Sequence, residues 1–499
     1  MRRTFCTFLL CFSSFCTLSN AQTPEFLDVN EAVVRALGQN LSLRIQGEEV
    51  ILARQNVIIE EATFDTRFFA SGTQRGSRSP SYGGFEGDSG HSTLTRAGIA
   101  KRLNTGADLQ VSSNYTRNSS SSSTQILNPS HTSDLSMSLR QPLLREGGTE
   151  MNLLMLQNAE LVATQTELNL QDQALVLMSD TEVAYWDLAY AHEVKKVREA
   201  SLEVAEKLLE ENEAREGVGL ATNIDVIQSQ VFEATSQEAV ITAYALIEDS
   251  QDKLYRQMGS NDYPEGLVSV SQLPDISTED IGSPTSLPAI LANNPRYRAQ
   301  EIKVIWFENF VRAGRNLMLP TVDLVAGMGF SGLDDSLVDS YGNTLERDGY
   351  DWTAGIEFSI PWGQRADKAQ YQRSLSLLRQ EELKLEDQEQ EAKEANRFLW
   401  RRWVLGLERV RAAKLSLELA IEQFDREQSK YESGLSTFRE LLEAREDQDD
   451  ANLRYLSFIL EAIKAKIISK ELDASLPQRY GLSWDSTSSL IYPEEAKEE

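Results

Sequence analysis

The chain has 499 residues, 41% of them apolar, and sets 77 Asp and Glu against 49 Lys and Arg, a formal net charge of −28. That balance excludes nucleic acid as a partner, because such binding rests on neutralising phosphates with Lys and Arg. After the N-terminal segment no apolar run reaches the roughly 18 residues of a membrane-spanning helix, which leaves a closed β-barrel as the only route across a bilayer.

In chain order, Met1-Arg2-Arg3, the apolar stretch from Phe5 to Leu18 and Ser19-Asn20-Ala21 read as a secretory signal over 1–21, with cleavage before Gln22. Cys6, Cys11 and Cys16 are all the cysteines of the chain and fall inside that signal. The exported product is therefore expected to have no thiol for a disulfide, a metal or nucleophilic chemistry. Leu10 before Cys11 and Phe15 before Cys16 argue against lipoprotein processing. Helical periodicity then predicts helices over 31–63, 150–216, 220–258, 286–317, 367–433 and 435–475. Leu407, Val410, Leu417, Ile421 and Phe424 follow three-four spacing, and so do Leu453, Leu456, Leu460, Ile463 and Ile467, the seam of a coiled coil. At about 1.5 Å per residue the longest helices reach roughly 100 Å, which two shorter helices stacked end to end would match.

Between the helices the period changes to two. Tyr350, Trp352, Ala354, Ile356, Phe358 and Ile360 alternate with polar residues, as do Val322, Leu324, Ala326, Met328 and Phe330, and Ala107, Leu109, Val111 and Tyr115. Stretches of this length, apolar on one face and polar on the other, have the strand pattern of an outer-membrane barrel, a pattern that soluble sheets also show. The region 64–140 holds a further alternating pair, Thr93 to Lys101 and Thr105 to Thr116, turning at Asn104-Thr105-Gly106. Gly83-Gly84, Ser119 to Ser123 and Gly332 to Gly349 read as loops, 259–285 as a linker, and 477–499 as an acidic tail.

The programme occurs twice. Gly219-Leu220-Ala221-Thr222-Asn223-Ile224-Asp225 corresponds to Gly434-Leu435-Ser436-Thr437-Phe438-Arg439-Glu440, two helix-break turns. Ala36 to Asn40 corresponds to Ile290 to Asn294, and Gln141-Pro142-Leu143-Leu144 to Ile360-Pro361-Trp362-Gly363. Similarity in the same order at several places predicts an internal duplication, 22–258 and 286–476.

Nothing here favours an enzyme. Gly87-Asp88-Ser89-Gly90 with His91 is a polar stretch without a triad, His131 and His192 lack metal-ligand spacing, and no phosphate loop or dinucleotide fingerprint occurs, so no cofactor is expected. The candidate functional residues follow the breaks. Glu440 and Glu443 share a helix face, and Asp225 holds in the first copy the place of Glu440; a solvated acidic helix start, favoured by the helix dipole, explains the same residues.

The signal, the repeated helix-strand-strand-helix order, the Gly-Leu breaks and Pro142 and Pro361 at strand-to-helix junctions together resemble the TolC-type outer-membrane efflux proteins over nearly the whole exported chain. The resemblance implies an α+β membrane protein of the cell outer membrane, extending into the periplasm. Three copies would share one β-barrel, continued by a long periplasmic coiled-coil α-barrel. It implies a passive exit duct for a tripartite efflux pump or a type I secretion system, working with a periplasmic adaptor (membrane fusion protein) and an inner-membrane pump or ABC exporter. It makes Glu440 and Glu443 the aperture acids and matches Asp225 and Tyr431 to closing contacts, predicting a hydrogen bond between them. Ser436 stands where an arginine joins that network in the family. Two strands per repeat imply a twelve-stranded trimeric barrel, which the extra pair either enlarges to eighteen or leaves with a projecting hairpin. The alternative is a periplasmic adaptor or coiled-coil scaffold, which carries one helical hairpin where this chain repeats helices and strands.

Overall fold

The computed structural model describes residues 26–78, 89–121, 125–264, 266–279 and 281–484. The signal, Gly83-Gly84, Gly87-Asp88 and most of the tail lie outside them. The elements are β1 (Phe26–Leu27), α1 (Val29–Gln39), α2 (Leu41–Glu61), β2 (Arg67–Arg78), β3 (Ser89–Arg102), β4 (Asp108–Ser120) and β5 (Ser130–Pro142). Then come α3 (Thr149–Asn152), α4 (Leu154–Gly217), α5 (Asn223–Gln257), β6 (Ser269–Val270), α6 (Leu287–Asn293), α7 (Pro295–Leu317) and β7 (Thr321–Asp334). The chain continues with α8 (Leu337–Glu346), β8 (Gly349–Ser359), α9 (Arg365–Glu432), α10 (Phe438–Leu472) and α11 (Leu476–Arg479). No helix among the described residues is long and apolar enough to cross a membrane.

Three of the expected helices are broken once each, the 150–216 stretch only near its start, at Leu153. The 31–63 stretch divides at Asn40 and the 286–317 stretch at Asn294, and both asparagines have extended backbone. Asn294 is followed by Pro295, which disfavours α geometry at the residue before it. The Asn40 amide donates to Gln257 O at 2.9 Å, and the Asn294 amide to Leu472 O at 3.1 Å. Each asparagine break thus satisfies the last carbonyl of a later helix, α5 in one case and α10 in the other.

The chain divides into two compact units, Met1–Asn40, Met178–Ile281 and Arg402–Ile467 in one, and Leu41–Leu177, Gly282–Arg401 and Ile468–Glu499 in the other. The first packs α4, α5, α9 and α10 around apolar side chains including Leu208, Phe232, Phe424, Phe438 and Leu441. Asp187 on α4 pairs with Lys253 of α5 at 3.4 Å and Lys464 of α10 at 2.5 Å. The 259–285 linker is held to these helices where it lies in this unit: Asp275 bonds Lys414 at 2.7 Å, and Arg411 donates to the Ser277 and Glu279 carbonyls. Of the expected seam, Leu407, Val410, Phe424, Leu456, Leu460, Ile463 and Ile467 are buried, but Ile421 is exposed.

In the second unit β2-β3-β4-β5-β7-β8 form one antiparallel sheet in that order, so the extra hairpin is integrated in the sheet and does not project. The register sorts its residues cleanly. Phe68, Ile99, Val111, Met137, Met328 and Trp352 lie in one row on one face, with Tyr350, Ile356 and Phe358 beside them. The other face carries Arg67, Arg102, Asp108, Arg140, Asp323 and Glu357, with Arg140 Nε donating to Asp323 Oδ2 at 2.8 Å. A hollow of about 1060 Å³ is lined by this polar face near the strand ends that join the helices. Gly332 to Gly349, read as a loop, contains α8; its ten residues are too few for the periodicity to stand out.

Candidate functional site

Two features of opposite character call for a functional account: the paired helix breaks and the apolar sheet face. At the first break Leu220 N donates to Arg215 O and Gly219 N to Glu216 O; at the second Leu435 N donates to Lys430 O and Gly434 N to Tyr431 O. These are two copies of a Schellman turn, and each needs a residue at positive φ, supplied by Gly219 at +76° and Gly434 at +74°. Thr222 and Thr437 then open α5 and α10 as N-caps. Asp225 Oδ2 accepts the Thr222 N–H at 2.9 Å while Asp225 N donates to Thr222 Oγ1. Glu440 Oε2 accepts the Thr437 N–H at 2.9 Å in the same way, and Glu440 N returns the bond. Both acids are capping-box residues.

Ser436 adds a further acceptor problem. Its single hydroxyl hydrogen faces two carboxylates, Glu427 and Glu440, the latter at 2.9 Å. The Thr437 N–H and the two hydroxyls hold the Glu440 carboxyl below the usual range, and Lys430 followed by Ser436 does the same for Glu427. Glu443 is solvent-facing and pairs with Arg439 at 3.1 Å.

Tyr431 does not bond the Asp225 carboxylate, which caps its own helix through Oδ2. The Tyr431 hydroxyl donates to Asn212 Oδ1, Asn212 Nδ2 to Ser229 Oγ at 2.7 Å, and Ser229 Oγ to the Asp225 carbonyl at 3.0 Å. Asn212 and Ser229 are fully buried and Tyr431 is 7% exposed. A buried polar chain thus joins α9, α4 and α5 and ends on Asp225 by its backbone. Arg215 sits 4.6 Å over the Tyr431 ring, and burial pushes the phenol upward, so it stays a donor at neutral pH. Asn212, Ser229 and Arg215 went unread in the sequence. Asn212 had a signal, as the uncharged member of Glu210-Glu211-Asn212-Glu213.

On the sheet, Phe68 is 75% exposed and Trp352 70%, with Tyr350, Ile356 and Phe358 similarly open. A contiguous apolar face of this extent demands a covering surface.

A model of the outer membrane efflux protein family matches residues 287–466. Residues 287–466 are an outer membrane efflux protein domain. The efflux-protein domain spans α6 to most of α10, including the second break and strands β7 and β8. The fold of the described residues is similar to that of solved outer-membrane channels. It is similar to CusC, with a TM-score of 0.68 at 15% identity over 93% of this chain and 96% of that one. It is similar to the outer-membrane channel OprN, with a TM-score of 0.66 at 16% identity over 91% and 90%. It is similar also to the Campylobacter jejuni CmeC outer membrane channel, with a TM-score of 0.66 at 14% identity over 93% and 89%. No curated protein matches the chain.

Proposed function

We propose that this protein is the outer-membrane exit duct of a tripartite efflux or type I secretion system, a homotrimer that passes cargo received from an inner-membrane pump or ABC exporter through a periplasmic adaptor. The observation that carries this reading is the sheet itself: six strands, apolar and exposed on one face, polar on the other, with β2 and β8 unpaired at its edges. In hydrocarbon an open edge leaves backbone groups unsatisfied, so such a sheet must close on further copies. Because β2 and β8 run antiparallel to each other, β8 of one copy extends the sheet onto β2 of the next. On the polar face that junction sets Arg67 and Arg75 of β2 against Asp351 and Glu357 of β8, opposite charges on adjoining strands. A periplasmic scaffold has no use for an exposed apolar sheet face.

The duplication belongs to the same proposal. It is supported by the matching Schellman turns, the matching capping boxes and the Asn40 and Asn294 breaks. Exposed apolar residues on the helices, Ile45, Leu52 and Ile59 at heptad spacing on α2 and Ile224, Ile227 and Val231 on α5, support neighbouring copies along the helices. Within the trimer Glu440 and Glu443 line the periplasmic aperture, where a ring of like charge attracts cations. Asp225 and Tyr431 hold it narrow through Asn212 and Ser229.

The test is reconstitution into planar bilayers. Extraction should require detergent, the purified protein should conduct, and Glu440→Gln with Glu443→Gln should weaken cation selectivity. A protein that leaves the cell envelope in buffer alone and never conducts contradicts the reading.

A further inference from the structure

The helix α8 lies on the apolar face of the sheet, at the end far from the long helices, and meets that face with small polar groups. Ser340 and Thr344 are its buried side chains. Thr344 Oγ1 is 2.6 Å from Ser133 Oγ, and a Cβ on Gly332 would come within 2.1 Å of the Ser340 carbonyl. Tyr341 reaches Ser113 Oγ at 2.9 Å and stacks on Tyr115, while Arg347 lies over Phe330. Ser113, Tyr115, Ser133, Phe330 and Gly332 all belong to the apolar face by register.

The remaining sides of α8 differ from each other. Val338 and Leu345, seven residues apart and so on one flank, are 75% and 74% exposed. The opposite flank carries Asp339, Asn343 and Glu346. Hydrogen bonds fix which flank faces which way. Asn343 Nδ2 donates to Leu333 O and to Asp334 Oδ2, at the terminal end of β7, so the polar flank is turned beyond the strands. Tyr341, next to the apolar flank, reaches back to Ser113, whose cross-strand neighbour Leu135 pairs with Phe330. The apolar flank is therefore turned toward the band that contains Tyr350, Trp352 and Met328.

We propose that α8 is an interfacial helix that rests its Val338–Leu345 flank in the lipid at the outer boundary of the hydrocarbon, with its polar flank in water, and so fixes the depth at which the sheet sits. The inference rests on the reading of the apolar face as lipid-facing. The physical grounds are the same as for any surface helix in a bilayer: apolar area enters the headgroup-acyl boundary, polar groups stay out, and aromatic residues mark the level. Tyr115, Tyr341, Tyr350 and Trp352 lie at that level on this face. A soluble protein partner would need the whole outer side of the helix, and the charged flank offers it no apolar surface.

With all cysteines in the signal, single cysteines can be placed in the exported chain without interference. The full-length protein, carrying Val338→Cys, Leu345→Cys, Glu346→Cys or Ile356→Cys, is labelled with an environment-sensitive fluorophore and reconstituted in phospholipid vesicles. Quenching is compared between lipids bearing a nitroxide near the headgroup, lipids bearing one near the chain end, and aqueous iodide. The proposal expects positions 338 and 345 to be quenched several-fold more by the shallow nitroxide than by iodide, position 346 by iodide, and position 356 by lipid nitroxides. Lipid quenching at 356 with only iodide quenching at 338 and 345 overturns the role of α8 alone. Loss of lipid quenching at 356 overturns the membrane reading on which it stands. Val338→Cys and Leu345→Cys are separate variants on one flank, so if the oligomer of one is lost on gels the other is read in the same way.

Discussion

Tyr431 spends its hydroxyl on Asn212, a fully buried side chain whose oxygen has that hydroxyl as its bonding partner in the polar chain to Ser229. Tyr431→Phe strands the oxygen in the interior, at a cost of about 1–3 kcal/mol. Amide exchange around the Gly219 and Gly434 turns should then accelerate, and single-channel conductance should rise as the helices separate. Unchanged exchange and conductance would remove Tyr431 from the latch. Glu440 acts differently, through its charge. Its carboxyl is held below 4.5 in the folded protein by the Thr437 N–H and neighbouring hydroxyls. A group lowered on folding contributes stability that is complete above its unfolded value and lost as pH falls through the folded one. Exchange in the first turn of α10 should therefore quicken on acidification below about pH 4.5. Glu440→Gln, which can keep the capping box, should blunt that pH dependence, while Glu440→Ala should open the turn at every pH.

At the scale of elements, β8 carries the sharpest contrast. Ile356→Lys should cost about 2–4 kcal/mol near a bilayer midplane, whereas Glu357→Lys on the polar face should be mild, measured as denaturant midpoints in vesicles. Equal tolerance at the two positions would contradict the assignment of faces. This contrast was legible in the sequence because side chains alternate along a strand, so Tyr350 to Ile360 announced its faces without a structure. The Gly219 and Gly434 turns were legible for a similar reason, since glycine is the residue that reaches positive φ without a steric cost. The partner of Tyr431 was not legible. Asp225 has the charge expected of an acceptor, but the side chain three residues after an N-cap threonine is claimed by that cap, and the burial of Asn212 depends on helices far apart in sequence. The helix α8 was missed because it packs through Ser340 and Thr344 and exposes Val338 and Leu345, the reverse of the usual amphipathic pattern. The breaks at Asn40 and Asn294 were missed because helical periodicity resumes directly after each.

At the scale of the whole molecule, the account turns on what the open edges of the sheet meet. Each copy offers β2 with Arg67 and Arg75 and β8 with Asp351 and Glu357, so copies should join head to tail and close when the turn is complete. With β3 and β4 integrated the sheet of one copy has six strands, so the proposed barrel would have a wider circumference than four strands per copy would give. The exposed apolar stripes on α2 and α5 would be covered by neighbours in the proposed assembly. The most direct measurement is disulfide trapping across the edges, pairing Ala70→Cys on β2 with Ala354→Cys, Ile356→Cys or Phe358→Cys on β8 in the full-length protein in its membrane. One of these pairings should give covalent species that stop at three copies, with the β2 cysteine of each joined to the β8 cysteine of the next. The absence of cross-links for every pairing, or a ladder that runs on past three, would contradict a closed trimeric channel.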